Sequence, residues 1–191
     1  MRPDDVGAYR ARKAALLGEL SGDVLEIGAG TGANFGYFRR EVRWTGLEPN
    51  RRARATLRTV ARAHGHDAQV LAAPAERIPL PDAGVSAVVA TVVLCSVSDQ
   101  DAALAEVIRV LRPGGKFVFF EHVAGPAGSW SRRLQRLSAP VSRLLDRGCD
   151  PARQTWHAIE RAGFAETTVD WFGGLRWWGV DIPLIAGTGT V

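Results

Sequence analysis

Short, nearly unbroken apolar runs recur along the chain, separated by stretches in which apolar residues return at helical spacing. Residues 23–28, 43–48, 67–72, 85–93 and 116–122 read as strands. The run at 85–93 is almost wholly apolar and rich in β-branched residues, the pattern of a strand buried on both faces. Residues 6–20 read as a helix with Ala14, Leu16, Leu17 and Leu20 on its apolar side and Gly22 just past its end. Further helices are predicted over 33–40, over 50–64 behind Pro49 and Asn50, and from Ser98 or Asp99 to 111. Residues 130–147 read as one helix broken near Pro140, and 150–162 as a helix capped by Asp150 with Pro151 in its first turn. A loop with Pro74, Pro79 and Pro81 spans 73–83.

Strand and helix alternate at the spacing of a parallel sheet wrapped on both faces. The last two predicted strands, 164–171 and 179–185, leave only 172–178 between them. That is too short for a parallel crossover helix, so they are expected to pair antiparallel. The expected architecture is α/β: seven strands, mostly parallel, ending in an antiparallel hairpin. One domain over 1–191 accommodates all of it, with the helix at 6–20 followed by halves at 23–111 and 112–191.

Composition changes this picture little. An apolar share of 46% against 23% charged residues is that of a globular domain with a sizeable core. No run approaches the length of a membrane span, and no apolar stretch follows Met1-Arg2-Pro3-Asp4-Asp5, so neither a transmembrane helix nor a signal peptide is expected. Cys95 and Cys149 are the only cysteines. Their placement suggests neither a disulfide framework nor a metal site, and a cytoplasmic setting is the default. The net charge of +4 comes from scattered arginines without a recognition motif, so nucleic acid is not the expected partner.

The chemistry starts where the strand Val24-Leu25-Glu26-Ile27 runs into Gly28, Gly30 and Gly32. Glycines at a strand end let the backbone approach a ligand with no Cβ in the way. Sixteen residues past Gly32, Glu48 ends the second strand, where a carboxylate can accept from both hydroxyls of a ribose. The spacing satisfies acidic-x-G-x-G-x-G from Glu26. It also satisfies G-x-G-x-x-A from Gly28 to Ala33, which would suit a nicotinamide-dependent oxidoreductase.

The first motif resembles that of class I S-adenosylmethionine-dependent methyltransferases. Leu111-Arg112-Pro113-Gly114-Gly115 is similar to a turn common in those acting on small molecules. More narrowly, Gly30-Thr31-Gly32-Ala33-Asn34-Phe35, Val93-Leu94-Cys95-Ser96-Val97, Glu121-His122-Val123 and Gly148-Cys149-Asp150 resemble the family that includes alkyl-thiol methyltransferases. The resemblance runs from about Tyr9 to near the end of the chain and implies a Rossmann-like fold. It implies S-adenosyl-L-methionine as cofactor and S-adenosyl-L-homocysteine as product. Cofactor contacts are then expected from Tyr9, Glu26, Gly28, Gly30, Gly32 and Asn34, and from Glu48, Pro49, Ala75, Glu76 and Thr91. Two departures stand out. The apolar N-terminal anchor of the animal members has no counterpart, and Ala75-Glu76 follows Pro74 where many methyltransferases carry Asp.

The expected acceptor is a small, fairly apolar molecule, with a thiol as first choice and O- or N-methylation of a small molecule or lipid as the alternative. A module that holds the cofactor without turnover is a third reading. His122, at a strand's carboxyl end, is the candidate base, weighed evenly against a histidine tied to a neighbouring helix. Trp130 and Cys149 are candidate pocket residues, and Cys95 is expected to pack near the core. The helix over 130–147 mixes apolar residues with arginines. It is read first as a lid over the acceptor and second as a peripheral membrane contact. Oligomeric state is not legible.

Overall fold

The computed structural model describes residues 3–145, 148–177 and 180–191. Helix α1 (Pro3–Gly18) leads into β1 (Asp23–Ile27), β2 (Arg43–Leu47), α2 (Arg51–Ala63) and β3 (Gln69–Leu71). Then follow β4 (Val85–Thr91), α3 (Gln100–Val110), β5 (Leu111–His122), α4 (Trp130–Leu145), α5 (Thr155–Arg161), β6 (Glu166–Trp177) and β7 (Val180–Thr190). The seven strands form one sheet in the order β3-β2-β1-β4-β5-β7-β6. β1 to β5 are parallel, and β7 lies antiparallel between β5 and β6.

Alternation along the strands sorts the core into two layers. Leu25, Ile27, Val88, Phe117 and Phe119 pack with Leu104 and Val107 of α3 and Ile159 of α5. Val24, Val89, Val118 and Phe120 pack with Leu17 of α1 and Leu57 of α2. Helices therefore cover both faces, as the alternation of elements predicts. The chain turns back on itself between β1 and β4, the central pair, and their carboxyl ends flank the crevice typical of such a switch point.

Several predicted elements are corrected. Residues 33–40 form successive turns instead of a helix, because Asn34 and Phe35 are drawn inward. The Asn34 amide bonds to Glu26, and Phe35 packs 4.6 Å from Trp44, centroid to centroid. α4 is not broken at Pro140. Pro140 and Arg136 are both exposed, so water can satisfy the carbonyl one turn back. Asp150 does not cap a helix. Its Oδ1 accepts from the Ala152 N–H at 2.9 Å, its Oδ2 pairs with Arg143, and helix waits until Thr155. The predicted turn 111–115 lies inside β5, where the register with β4 shifts and Gly114 adopts φ 74°. The terminal hairpin is longer than expected. The predicted positions Arg147, Trp178 and Gly179 lie outside the described residues.

Candidate functional site

At the carboxyl ends of β1, β2 and β4 lies a cavity of about 270 Å³. Six of the predicted cofactor residues line it: Gly28, Gly30, Glu48, Pro49, Ala75 and Glu76. Val92, Val93 and Ser96, from the turn after β4, close the other side.

The three glycines do different things. A Cβ on Gly28 would stand 2.6 Å from Val93 Cγ2, and one on Gly32 would stand 2.8 Å from the Phe35 ring. Those two positions let protein pack on protein. A Cβ on Gly30 would meet nothing nearer than the Gly28 carbonyl at 3.9 Å. Gly30 is thus the one whose bareness opens onto the crevice, and its φ of 56° is in the left-handed region that favours glycine. Val92, at φ 54°, is strained there for a β-branched residue, at the crevice wall.

Glu48 is held by the loop it faces. Its Oε2 accepts from the Gly30 N–H at 2.9 Å and its Oε1 from the Asn50 N–H at 2.7 Å. Each oxygen keeps a further lone pair, so the carboxylate can still accept two ligand hydroxyls. Glu76 lines the cavity, but its Oε1 accepts from the Ser98 N–H at 2.7 Å, which ties it to the turn before α3.

Behind the glycine loop stands a buried polar group. The Asn34 Nδ2 donates to Glu26 Oε1 at 2.8 Å and to Thr91 Oγ1 at 3.0 Å. Trp44 Nε1 donates to Glu26 Oε2 at 3.0 Å. These two acceptors orient the Asn34 amide, and its Oδ1 is left buried with no hydrogen-bond partner among the described residues. An orphaned acceptor beside an open glycine fits a cofactor that brings a donor. Burial pushes the Glu26 carboxyl up to about 7, against the downward pull of Trp44, Asn34 and the Lys13 charge.

The raised Glu26 pKa has a consequence for stability. The folded state holds this proton more tightly than the unfolded chain, whose ordinary value is 4.5. Its contribution is full below about 4.5 and is lost as pH rises through about 7. Glu26→Gln should flatten the fall in urea midpoint between those pH values relative to wild type. Parallel wild-type and variant curves would contradict the assignment.

Tyr9 sits on α1 with its ring edge-on to Phe120 and Phe172, each 6.0 Å away between centroids. Burial first, then the Glu121 charge, pushes its hydroxyl up to about 12, so it stays protonated as a donor. One turn on, Lys13 is buried with its Nζ 5.5 Å from the centroids of both Tyr37 and Phe120. Burial lowers its pKa. The sequence reading missed Lys13, although its spacing of four from Tyr9 puts both on one helix face.

Glu121 was missed as well. It is fully buried at the end of β5, and its Oε1 accepts from the Val93 and Leu94 N–H groups at 2.9 and 3.1 Å. A lone acid closing the apolar run Phe117-Val118-Phe119-Phe120 was the available signal. Next to it, His122 Nε2 lies 3.1 Å from Cys149 Sγ, and both residues are buried. Cys149 is brought there because its segment docks on the turn after β4. The Asp150 N–H donates to the Cys95 carbonyl at 3.0 Å, and Arg153 Nη1 donates to the Val97 carbonyl at 2.6 Å. The same docking sets Cys149 beside Cys95, whose thiol pKa is raised by that contact and by burial.

Trp130 is 70% exposed at the start of α4 and is not part of the cavity lining. The lid reading of 130–147 is corrected with it. α4 buries Gln135 and Ala139, while Leu137, Val141, Leu144 and Leu145 face outward.

Residues 25–119 match the family described as methyltransferase domain. The chain is 38% identical over 177 residues to the thiol S-methyltransferase TMT1A of Homo sapiens, covering 91% of this chain and 72% of that protein. It is 39% identical over 182 residues to TMT1B of Homo sapiens, covering 89% and 74%. Among solved structures, the YcgJ protein of Bacillus subtilis shares the fold, with a TM-score of 0.71 at 18% identity over 95% of this chain and 98% of that one. The chain belongs to the S-adenosylmethionine-dependent methyltransferases, in the family of the thiol S-methyltransferases.

Proposed function

We propose that this enzyme methylates the sulfur of a small, fairly apolar thiol. Kinship over nine-tenths of the chain carries the reading, and the site supports it. Bound S-adenosylmethionine supplies a methyl group already activated on a sulfonium. The protein has to hold that cofactor, keep water out and present a nucleophile in line. A thiol needs little help to ionise, since with a pKa of about 8.5 a few per cent is already thiolate near neutrality.

In this reading Glu48 takes the ribose hydroxyls, Gly30 lets the backbone close on the cofactor, and Gly28 and Gly32 hold the turn that presents it. Asn34, oriented by Glu26 and Thr91, accepts from the amino group of the methionine end, with Tyr9 and Lys13 as neighbouring donors. Pro49, Ala75 and Glu76 flank the adenine. His122 receives the acceptor's proton, and Cys149 fixes the imidazole from the protein side. Trp130 meets an acceptor only if α4 moves.

The outward face of α4 supports a second, weaker proposal. Leu137, Val141, Leu144 and Leu145 are exposed among Arg133, Arg136 and Arg143, a composition suited to peripheral contact with an anionic bilayer. Among the described residues no helix is long and apolar enough to cross one. Neither cysteine is in a disulfide, which suits a reducing cytoplasm.

The test is calorimetry followed by turnover. S-adenosylhomocysteine should bind with micromolar affinity and NAD should not bind. Methyl transfer should then be fastest to an aliphatic thiol when thiols, phenols and amines are compared. Tight cofactor binding with no turnover of any thiol would remove the acceptor assignment and leave the cofactor site standing.

A further inference from the structure

Three reactive side chains from distant parts of the chain converge beside the crevice wall. Cys95 lies in the turn after β4, His122 ends β5, and Cys149 follows α4. Their two sulfurs and one ring nitrogen all lie within 4.8 Å of one another, and all three residues are buried. Successive members are 27 residues apart, so no short-range motif announces them.

We propose that Cys95, His122 and Cys149 bind one thiophilic divalent cation of the zinc class, each giving one ligand atom. Donor type is the first argument. Two thiolates and an imidazole are a set that zinc prefers and that magnesium and calcium do not. Size is the second. Zinc holds sulfur at about 2.3 Å and nitrogen at about 2.0–2.1 Å, which sets neighbouring donors in a tetrahedron roughly 3.5–3.8 Å apart. The cluster spans that separation, and closing it on an ion takes shifts of roughly 1 Å. Charge is the third. Both thiols lose their protons to solvent on binding, and two thiolates then cancel the ion's charge, so the buried complex is neutral. A disulfide would use the two sulfurs alone and give the imidazole no part.

Three protein donors leave a tetrahedral ion one position for water or an incoming sulfur. An acceptor thiol entering there would release its proton to solvent and stay as the metal-held thiolate, with His122 acting as ligand. That last step rests on the thiol reading above; binding of the ion does not.

The experiment uses the whole chain, reduced, stripped with a chelator and titrated with Zn²⁺ against a chromophoric competitor, then with Co²⁺. One equivalent of Zn²⁺ should bind. Co²⁺ should give thiolate-to-metal charge transfer and the intense visible bands of a tetrahedral site. Cys95→Ser and Cys149→Ser should each weaken Zn²⁺ binding by more than the roughly 10–100-fold typical of losing a group behind the ligands. Far-ultraviolet circular dichroism checks that the variants fold, and the wild-type Co²⁺ spectrum stands without them. The proposal is overturned by no stoichiometric Zn²⁺ binding to the reduced protein, by full affinity in folded Cys149→Ser, or by a Cys95–Cys149 disulfide in the protein as isolated. Metal-free protein that methylates thiols at the full rate would overturn the ion's part in the reaction and spare both its binding and the acceptor reading. Metal-bound protein inert toward thiols would sink the acceptor reading and spare the ion.

Discussion

Gly30→Val should abolish detectable binding of S-adenosylhomocysteine while the sheet stays folded. The position faces open space, since a Cβ there meets no protein atom nearer than 3.9 Å. The valine methyls would therefore occupy the crevice and leave the core undisturbed. Affinity should drop by at least roughly 100-fold, or about 2.7 kcal/mol. The backbone is also strained, because φ is 56° at this residue and a β-branched side chain resists that region. That strain should lower stability by about 1–3 kcal/mol. Gly30→Ala separates the two effects, carrying the strain with little of the volume. Glu48→Ala offers a comparison, with an expected loss of about 1.5–3 kcal/mol of cofactor binding through one charged acceptor. Calorimetry on folded protein decides. Gly30→Val binding the product within tenfold of wild type would mean that the cofactor does not pass over this residue.

Why Gly30 and Glu48 were legible while other parts of the site were not follows from how far each signal reaches along the chain. The glycines mark a local backbone demand at the end of β1, and Glu48 ends the next strand, so motif and partner lie within about twenty residues. Burial of β4 on both faces is equally local, written in its β-branched run. α4 shows the opposite case. Its two-sided pattern is present in the sequence, but which side is covered depends on what docks against it. Here Gln135 reaches inward, accepting from the Gly125 N–H at 2.7 Å, and the leucines turn out. Residues 33–40 fail as a helix for a similar reason, since Glu26 and Trp44, on the strands either side of the segment, claim Asn34 and Phe35. The Cys95, His122 and Cys149 cluster is the extreme. Each residue comes from a different strand or loop end, and only the order of strands in the sheet brings them together.

That cluster governs the second large effect. His122→Ala should slow methyl transfer to an aliphatic thiol by roughly 10²-fold near neutrality. The thiolate is the nucleophile, so any device that makes thiolate at neutral pH is worth most where the free thiol is still protonated. In metal-free protein that device is the imidazole itself. In ion-loaded protein it is the cation that His122 helps to hold. Both are lost in the variant, and both become dispensable as pH approaches the thiol's own value of about 8.5. The wild-type rate should therefore rise gently with pH and the variant rate steeply, so that the deficit shrinks at high pH. A phenol, with its pKa near 10, should show the deficit persisting to higher pH than the thiol does. A merely structural role for His122 would give a deficit independent of pH, since misfolding or misplacement is not repaired by ionising the substrate. The measurement is a pH–rate profile of wild type and His122→Ala with one aliphatic thiol and one phenol. Parallel profiles for enzyme and variant would remove His122 from the deprotonation step, and faster turnover of the phenol would remove the thiol as the preferred acceptor.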